Sequence, residues 1–125
     1  MSSPATTKAT ALATYLETLD RSPVDVLPLL APGFTFSVLW SDDDGAREFA
    51  GGVDELHAYF AQRDPDGHLH HILGGMRVGR TEFAFGRTTR HGQPLATFVN
   101  VADVDDEGRL LNLFGARTAS VPHDV

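Results

Sequence analysis

Three histidines stand almost together, His68, His70 and His71. An imidazole titrates in the physiological range, so this is the densest source of acid and base chemistry in the chain. In an extended segment His68 and His70 share a face, while His71 points to the other. Two histidines on one face suit a metal ion, but no third ligand stands at a predictable spacing, so no metal site is expected. The remaining readings are a general base and a partly solvated cluster at the start of a strand.

Asn100 is the second candidate. It lies in Thr97-Phe98-Val99-Asn100-Val101-Ala102, a run apolar on both faces, as in a central strand covered on both sides. An unpaired buried amide costs on the order of 1–3 kcal/mol, so a partner is required. Either the amide orients a ligand carbonyl, or it is a core asparagine bonded to backbone at a bulge. Tyr15, on a helical segment, has an amphipathic side chain that can bury its ring and present its hydroxyl to a polar partner. It is either a packing residue or a second donor, and two donors converging on one oxygen would stabilise a carbonyl or enolate.

The run Asp42-Asp43-Asp44-Gly45 lacks the alternating ligands and closing glutamate of a calcium loop and reads as a solvated loop. Arg77, Arg87, Arg90 and Arg117 are spread over several strands, where they solubilise the sheet or bridge to a partner subunit. Any of them turned inward would imply an acidic ligand.

The elements that must position these groups follow from periodicity. Ala9, Leu12, Ala13, Leu16 and Leu19 recur at three and four residues and predict a helix over Thr7–Leu19. A short second helix is expected over Pro23–Leu30, with Ser22 as its N-cap and Pro32-Gly33 beyond it. Phe34, Phe36, Val38 and Trp40 alternate with Thr35, Ser37 and Leu39 in a strand with one wholly apolar face. A third helix over Val53–Gln62 turns Val53, Leu56, Tyr59 and Phe60 inward and ends at Asp64-Pro65-Asp66-Gly67.

Four strands follow, at about His68–Val78, Thr81–Thr89, Leu95–Asp103 and Arg109–Arg117. The reversals at Gly79-Arg80, Arg90-His91-Gly92-Gln93 and Asp105-Asp106-Glu107-Gly108 suit hairpins, so the sheet is expected to be antiparallel. Gly74-Gly75 marks a bulge or bend. Trp40, Phe60 and Phe98, at the open end, would line a mostly apolar cavity. Val99, Val101 and Phe114 would make the outer sheet face apolar, which predicts a homodimer through that face.

Composition sets outer limits. With 125 residues, 42% of them hydrophobic and eight phenylalanines, the chain suffices for one core and not for two. Seventeen acidic against ten basic residues give a formal charge of −7, a field that repels nucleic acid and anionic membranes. Without cysteine there are no disulfides, thiolate nucleophiles or zinc–thiolate sites. The polar segment Met1–Lys8 does not lead into an unbroken apolar core, and no stretch approaches the ~20 apolar residues that span a bilayer, so a cytoplasmic protein is expected.

The order helix, short helix, strand, helix and four long strands resembles the nuclear transport factor 2-like superfamily, which includes ketosteroid isomerases and SnoaL-like polyketide cyclases. The local motifs behind the resemblance are Tyr15-Leu16-Glu17-Thr18-Leu19-Asp20, the Gly-led helix ending in Tyr59-Phe60, Gly92-Gln93-Pro94 and Asp106-Glu107-Gly108-Arg109-Leu110. The resemblance covers about residues 9–117. It implies a cone-like α+β roll of cystatin-like type, a curved antiparallel sheet with three N-terminal helices. That would make 1–125 a single domain with an ordered core of about 7–118.

It also implies roles. The family's oxyanion-donor tyrosine falls on Tyr15, its proton-shuttling aspartate on Val38, and its protonated aspartic acid on Asn100, which donates a hydrogen bond without charge. Loss of the base at Val38 disfavours ketosteroid isomerisation, and His70 is the base that could replace it. The same alignment turns His70 and Ile72 toward the pocket, and likewise Phe98 and Leu113, while Phe36, Val38, Trp40 and Phe60 complete the lining.

The expected function is a small-molecule pocket protein, a cofactor-free isomerase, cyclase or dehydratase acting on an apolar or aromatic carbonyl compound through Tyr15, His70 and Asn100. The alternative is a non-catalytic ligand-binding or dimerisation module. The enzyme requires a cavity between Tyr15 and Asn100, whereas the module requires Trp40, Phe60 and Phe98 to fill the interior.

Overall fold

The computed structural model describes residues 6–62 and 67–119. In chain order it contains β1 (Thr6–Thr7), α1 (Thr10–Arg21), a 3-10 helix (Pro23–Leu29), β2 (Leu30–Asp42), β3 (Gly45–Gly51), α2 (Val53–Ala61), β4 (His68–Val78), β5 (Thr81–Arg90), β6 (Gln93–Asp103) and β7 (Leu110–Thr118). All strands join one curved, unclosed sheet in the order β1-β4-β5-β6-β7-β2-β3. The expected turn at Asp64-Pro65-Asp66 lies outside the described residues.

Helix α1 buries Leu12, Tyr15, Leu16 and Leu19, which recur at three and four residues along one stripe. Its N-cap, Ala9, has no side chain that could accept from the first-turn N–H groups. The sheet supplies the missing acceptor: Glu82 on β5, fully buried, accepts from the Leu12 N–H at 2.9 Å through Oε1. Its Oε2 meets Arg77 at 3.5 Å. A carboxylate at the positive end of the helix dipole thus ties helix to sheet.

The expected second helix is a 3-10 turn, and Ser22 precedes it without making a side-chain cap. Pro28 inside the segment has no N–H, which removes one rung of an α-helix and favours the tighter winding. In α2, Leu56 is buried and Tyr59 and Phe60 pack against the core, but Val53 at the first turn is exposed, contrary to its expected inward position.

Two features correct the sheet. The segment after the acidic run is a strand, β3, paired with β2 through a two-residue turn at Asp43-Asp44. In addition, β2 and β7 run parallel, so the sheet is mixed rather than antiparallel throughout. The other long pairs are antiparallel hairpins, and the reversal between β5 and β6 uses His91 (φ 51°) and Gly92 (φ 78°) as its two left-handed residues.

Period-2 alternation holds through β2, where Phe34, Phe36 and Val38 are buried against the helices. Cross-strand pairing then arranges the concave face in rows. One row runs Gly86, Phe98, Arg117, Trp40 and Arg47, and the next runs Ala84, Asn100, Gly115, Val38 and Phe49. On the convex face the corresponding rows carry Phe85, Val99, Ala116 and Leu39, and beside them Phe83, Val101 and Phe114. Among the described residues no helix is long and apolar enough to cross a membrane.

Candidate functional site

His70 is held from two sides. Its backbone N–H donates to Asp20 Oδ2 at 2.7 Å, and its ring Nδ1 meets Asp20 Oδ1 at 2.6 Å. The Phe98 ring meets the imidazole edge to face, with centroids 5.1 Å apart at 80°. Both partners of the pair are largely shielded, with side-chain exposures of 6% for His70 and 12% for Asp20. An ionised carboxylate only accepts hydrogen bonds, so the proton of this contact sits on Nδ1, and Nε2 is the basic nitrogen of the neutral ring.

Asp20 was not among the candidates drawn from the sequence. A signal for it existed: Leu12, Leu16 and Asp20 are spaced by four, so Asp20 prolongs the buried stripe of α1, where a carboxylate requires a partner.

His70, Tyr15 and Asn100 line one small, half-open cavity of about 40 Å³, together with Val38, Phe60 and Leu113. Three elements meet here: α1 brings Tyr15, β4 brings His70, and β6 brings Asn100. Among the described residues the Asn100 amide has no hydrogen-bond partner, so its polar atoms face the cavity unengaged. Gly115 makes room for that amide, since a Cβ there would stand 2.6 Å from Asn100 Oδ1. The space suffices for one or two waters, or for a carbonyl group.

Outward from it lies a wider vestibule of about 350 Å³, the size of a small-ligand site. Tyr59 and Arg117 line both spaces, so the two adjoin. Trp40, Phe49 and His68 line the vestibule. Trp40 thus stands at the mouth instead of filling the interior. Its indole Nε1 donates to Asp42 Oδ2 at 2.9 Å, and Arg47 Nη2 donates to the same oxygen at 3.0 Å. The Trp40 and Asp44 N–H donors, with the Arg47 charge, hold the Asp42 carboxyl below the usual carboxylate range. The acidic run is therefore a turn that fixes the tryptophan.

Two expected lining residues lie elsewhere. Ile72 is 39% exposed and flanks a surface groove beside the start of α1. The register of β4 shifts between Ile72 and Gly74, so the alternation that turns His68 and His70 inward ends there. Phe36 is buried behind the site, 6.3 Å from the Tyr59 ring, and borders neither space. His71 faces outward and its Nε2 meets Thr89 Oγ1 at 2.8 Å. Among the described residues no group of three or more potential ligand side chains gathers to hold a metal.

No protein-family model and no curated protein matches this sequence. Solved structures do. A candidate isomerase of the SnoaL-like family from Agrobacterium tumefaciens superposes with a TM-score of 0.58 at 19% identity, over 86% of this chain and 94% of that one. A candidate ketosteroid isomerase from Kribbella flavida gives 0.63 at 14% identity, over 94% and 82%. A candidate polyketide cyclase from Sinorhizobium meliloti gives 0.58 at 16% identity, over 85% and 93%. Proteins described as nuclear transport factor 2-like, of unknown function, match as well. At such identities the likeness concerns backbone architecture: this chain has the nuclear transport factor 2-like fold.

Proposed function

We propose that the chain is an enzyme of the general isomerase or cyclase kind that moves a proton beside a carbonyl group of a small, largely apolar compound. The observation that carries this reading is the Asp20–His70 pair, which opens onto the same small cavity as the unengaged Asn100 amide. His70 Nε2 takes the proton from the carbon next to the carbonyl, and the C–H electron pair moves through the new C=C bond onto oxygen. Tyr15 and Asn100 donate to that oxygen while it carries negative charge, and Asp20 stabilises the imidazolium. Return of the proton at another carbon is isomerisation. Loss of a β-hydroxyl as water is dehydration, and attack of the enolate carbon on a second carbonyl is cyclisation. None of these steps calls for a cofactor. Val38, which the resemblance aligned with the ketosteroid isomerase base, supplies only apolar wall.

The test needs no knowledge of the natural substrate. Proton NMR in D2O follows exchange at the carbon beside the carbonyl of 3-benzoylpropionate and of its amide. Wild-type protein is expected to accelerate exchange, and His70→Gln to lose about 10²-fold or more of that rate. Equal rates for wild type and variant would favour the non-catalytic binding module.

A second proposal concerns assembly. Leu39, Phe85, Val99 and Phe114 are 37–46% exposed and adjoin across four strands of the convex face. A second copy laid on this face would bury four large apolar side chains per chain, sheet against sheet. Light scattering after gel filtration should give twice the chain mass, and Phe114→Glu should give the monomer. A wild-type monomer at micromolar concentration would refute the interface.

A further inference from the structure

Gly115 stands on β7 at a point where the backbone does not require glycine. Its φ lies outside the left-handed region, so an L-residue could take the same extended conformation. Glycine inside a strand is destabilising relative to alanine, because it gives up more backbone freedom and packs no side chain.

The space above it is already taken. A Cβ at 115 would stand 2.6 Å from Asn100 Oδ1, 3.8 Å from Asn100 Cγ and 3.5 Å from Val38 Cγ2. The first approach is closer than van der Waals contact allows, and the last is ordinary contact. Asn100 and Gly115 pair directly across β6 and β7, and Ala84 flanks Asn100 on its other side. The amide thus has a small neighbour on either side, and its oxygen is turned to the smaller. Leu113 and Arg117, on the same face of β7, border the small cavity, whereas Gly115 between them does not. The amide oxygen covers it.

Oxygen and nitrogen leave Cγ in different directions, so an oxygen over Gly115 turns the NH2 away from β7. Electrostatics favours this sense, since a glycine Cα–H is a weak donor that meets an oxygen and would oppose an N–H. Among the described residues no hydrogen bond fixes the amide, which leaves the contact with Gly115 to select its orientation.

We infer that Gly115 is a positioning residue: it seats the Asn100 oxygen on the sheet and turns the NH2 into the cavity as a hydrogen-bond donor. The ligand atom received there is an acceptor with no hydrogen of its own, the oxygen of a ketone, an ester or the enolate derived from it. An ammonium group or an amide N–H is refused at this point. The identity of the ligand rests on the proposed function, and the orientation of the amide does not.

A thermal double-mutant cycle of Gly115→Ala and Asn100→Ala tests the contact without any ligand. In the wild-type background Gly115→Ala should lower the melting temperature by about 3 °C or more, since the new Cβ and Oδ1 cannot both keep their places. In the Asn100→Ala background the same substitution meets only Val38, at ordinary contact, and should raise it by about 1–4 °C. A fall of equal size in both backgrounds, or no fall in the first, would overturn the inference, because Gly115 would then serve the strand and not the amide.

Nuclear magnetic resonance of the isotope-labelled chain reads the sense of the amide directly. The Asn100 NH2 protons, assigned by their loss in Asn100→Ala, should show Overhauser contacts to the Tyr15 or His70 ring and none to Gly115 Hα. Contacts to Gly115 Hα in their place would put the nitrogen on the sheet and overturn the donor assignment.

Deuterium exchange of 3-benzoylpropionate separates this inference from the proton-transfer reading. Gly115→Ala should slow exchange about tenfold in the wild type and leave the rate of Asn100→Ala unchanged, as two residues acting through one donor do. Slowing by the same factor in both backgrounds removes the positioning role. No exchange by the wild type removes the proton-transfer reading alone, and the thermal cycle and the Overhauser contacts then decide the orientation by themselves.

Discussion

Replacing Asp20 by asparagine changes a single atom in the Asp20–His70 pair and should separate its catalytic from its structural part. The carboxylate makes two short contacts to one residue, 2.7 Å from the His70 N–H and 2.6 Å from Nδ1. In Asp20→Asn the amide oxygen can keep the first contact, which puts the amide NH2 against Nδ1. A donor facing Nδ1 forces the ring proton onto Nε2, the nitrogen that must be free to accept. The imidazolium also loses its counter-charge in a setting where both side chains are at most 12% exposed. Loss of a correctly poised base removes about 10²- to 10⁴-fold in rate. Loss of one hydrogen bond to a charged group removes about 1.5–3 kcal/mol of stability.

The assay is deuterium exchange of 3-benzoylpropionate beside thermal unfolding, for Asp20→Asn, His70→Gln and the double variant. A proton-transfer unit predicts strong non-additivity, the double variant being little slower than either single one. If Asp20→Asn unfolds earlier while exchanging at the wild-type rate, the pair only fastens α1 to β4 and the reasoning is refuted.

Other consequences are simpler to measure. Glu82→Leu should lower the melting temperature by about 6–10 °C, roughly 2 kcal/mol, because the Leu12 N–H and Arg77 lose their shared acceptor; Glu82→Gln should lower it less, and an unchanged value would show that α1 is not capped from the sheet. Asn100→Leu should leave the melting temperature unchanged or raise it by up to about 5 °C while slowing exchange, since the amide serves no protein partner among the described residues; a clear fall would make Asn100 a structural residue.

Asp103 accepts from Asn112 and Thr81, and Asp105 from the Arg109 and Glu107 N–H groups, and both carboxyls are held below their ordinary value near 3.8. Depressed acids stabilise the fold above the unfolded value and lose that contribution as pH falls through the lower folded values. Urea midpoints should therefore drop below about pH 3.8, and the drop should be smaller in Asp103→Asn.

What the sequence disclosed and what it concealed divide along chain separation. The hairpins of β4 to β7 were legible because Gly79, Gly92 and Gly108 mark their turns and apolar alternation marks their strands. Strand β3 was not, because Ala46-Arg47-Glu48-Phe49-Ala50 is mostly exposed and has no β-branched residue to register as strand. The parallel pairing of β2 with β7 joins the first and last long strands, and no local pattern encodes such a contact. Tyr15, His70 and Asn100 were expected to meet because a fold resemblance supplied the long-range geometry. Asp20 lies fifty residues from His70 and was missed, although its position on the helical stripe was readable.

Arg117 shows how far alternation reaches once one face is anchored. Leu113, Gly115 and Arg117 are spaced by two on β7, so a strand that turns Leu113 inward turns Arg117 inward as well. A charged residue at such a position is costly unless compensated, and the stack on Trp40 and the bond to Thr88 are two of the contacts that compensate it. Removing the guanidinium takes both away. Arg117→Met should therefore lower the melting temperature by about 3–5 °C, roughly 1 kcal/mol. An unchanged melting temperature would show that neither the stack nor the bond contributes to the fold, and that alternation alone places the residue there.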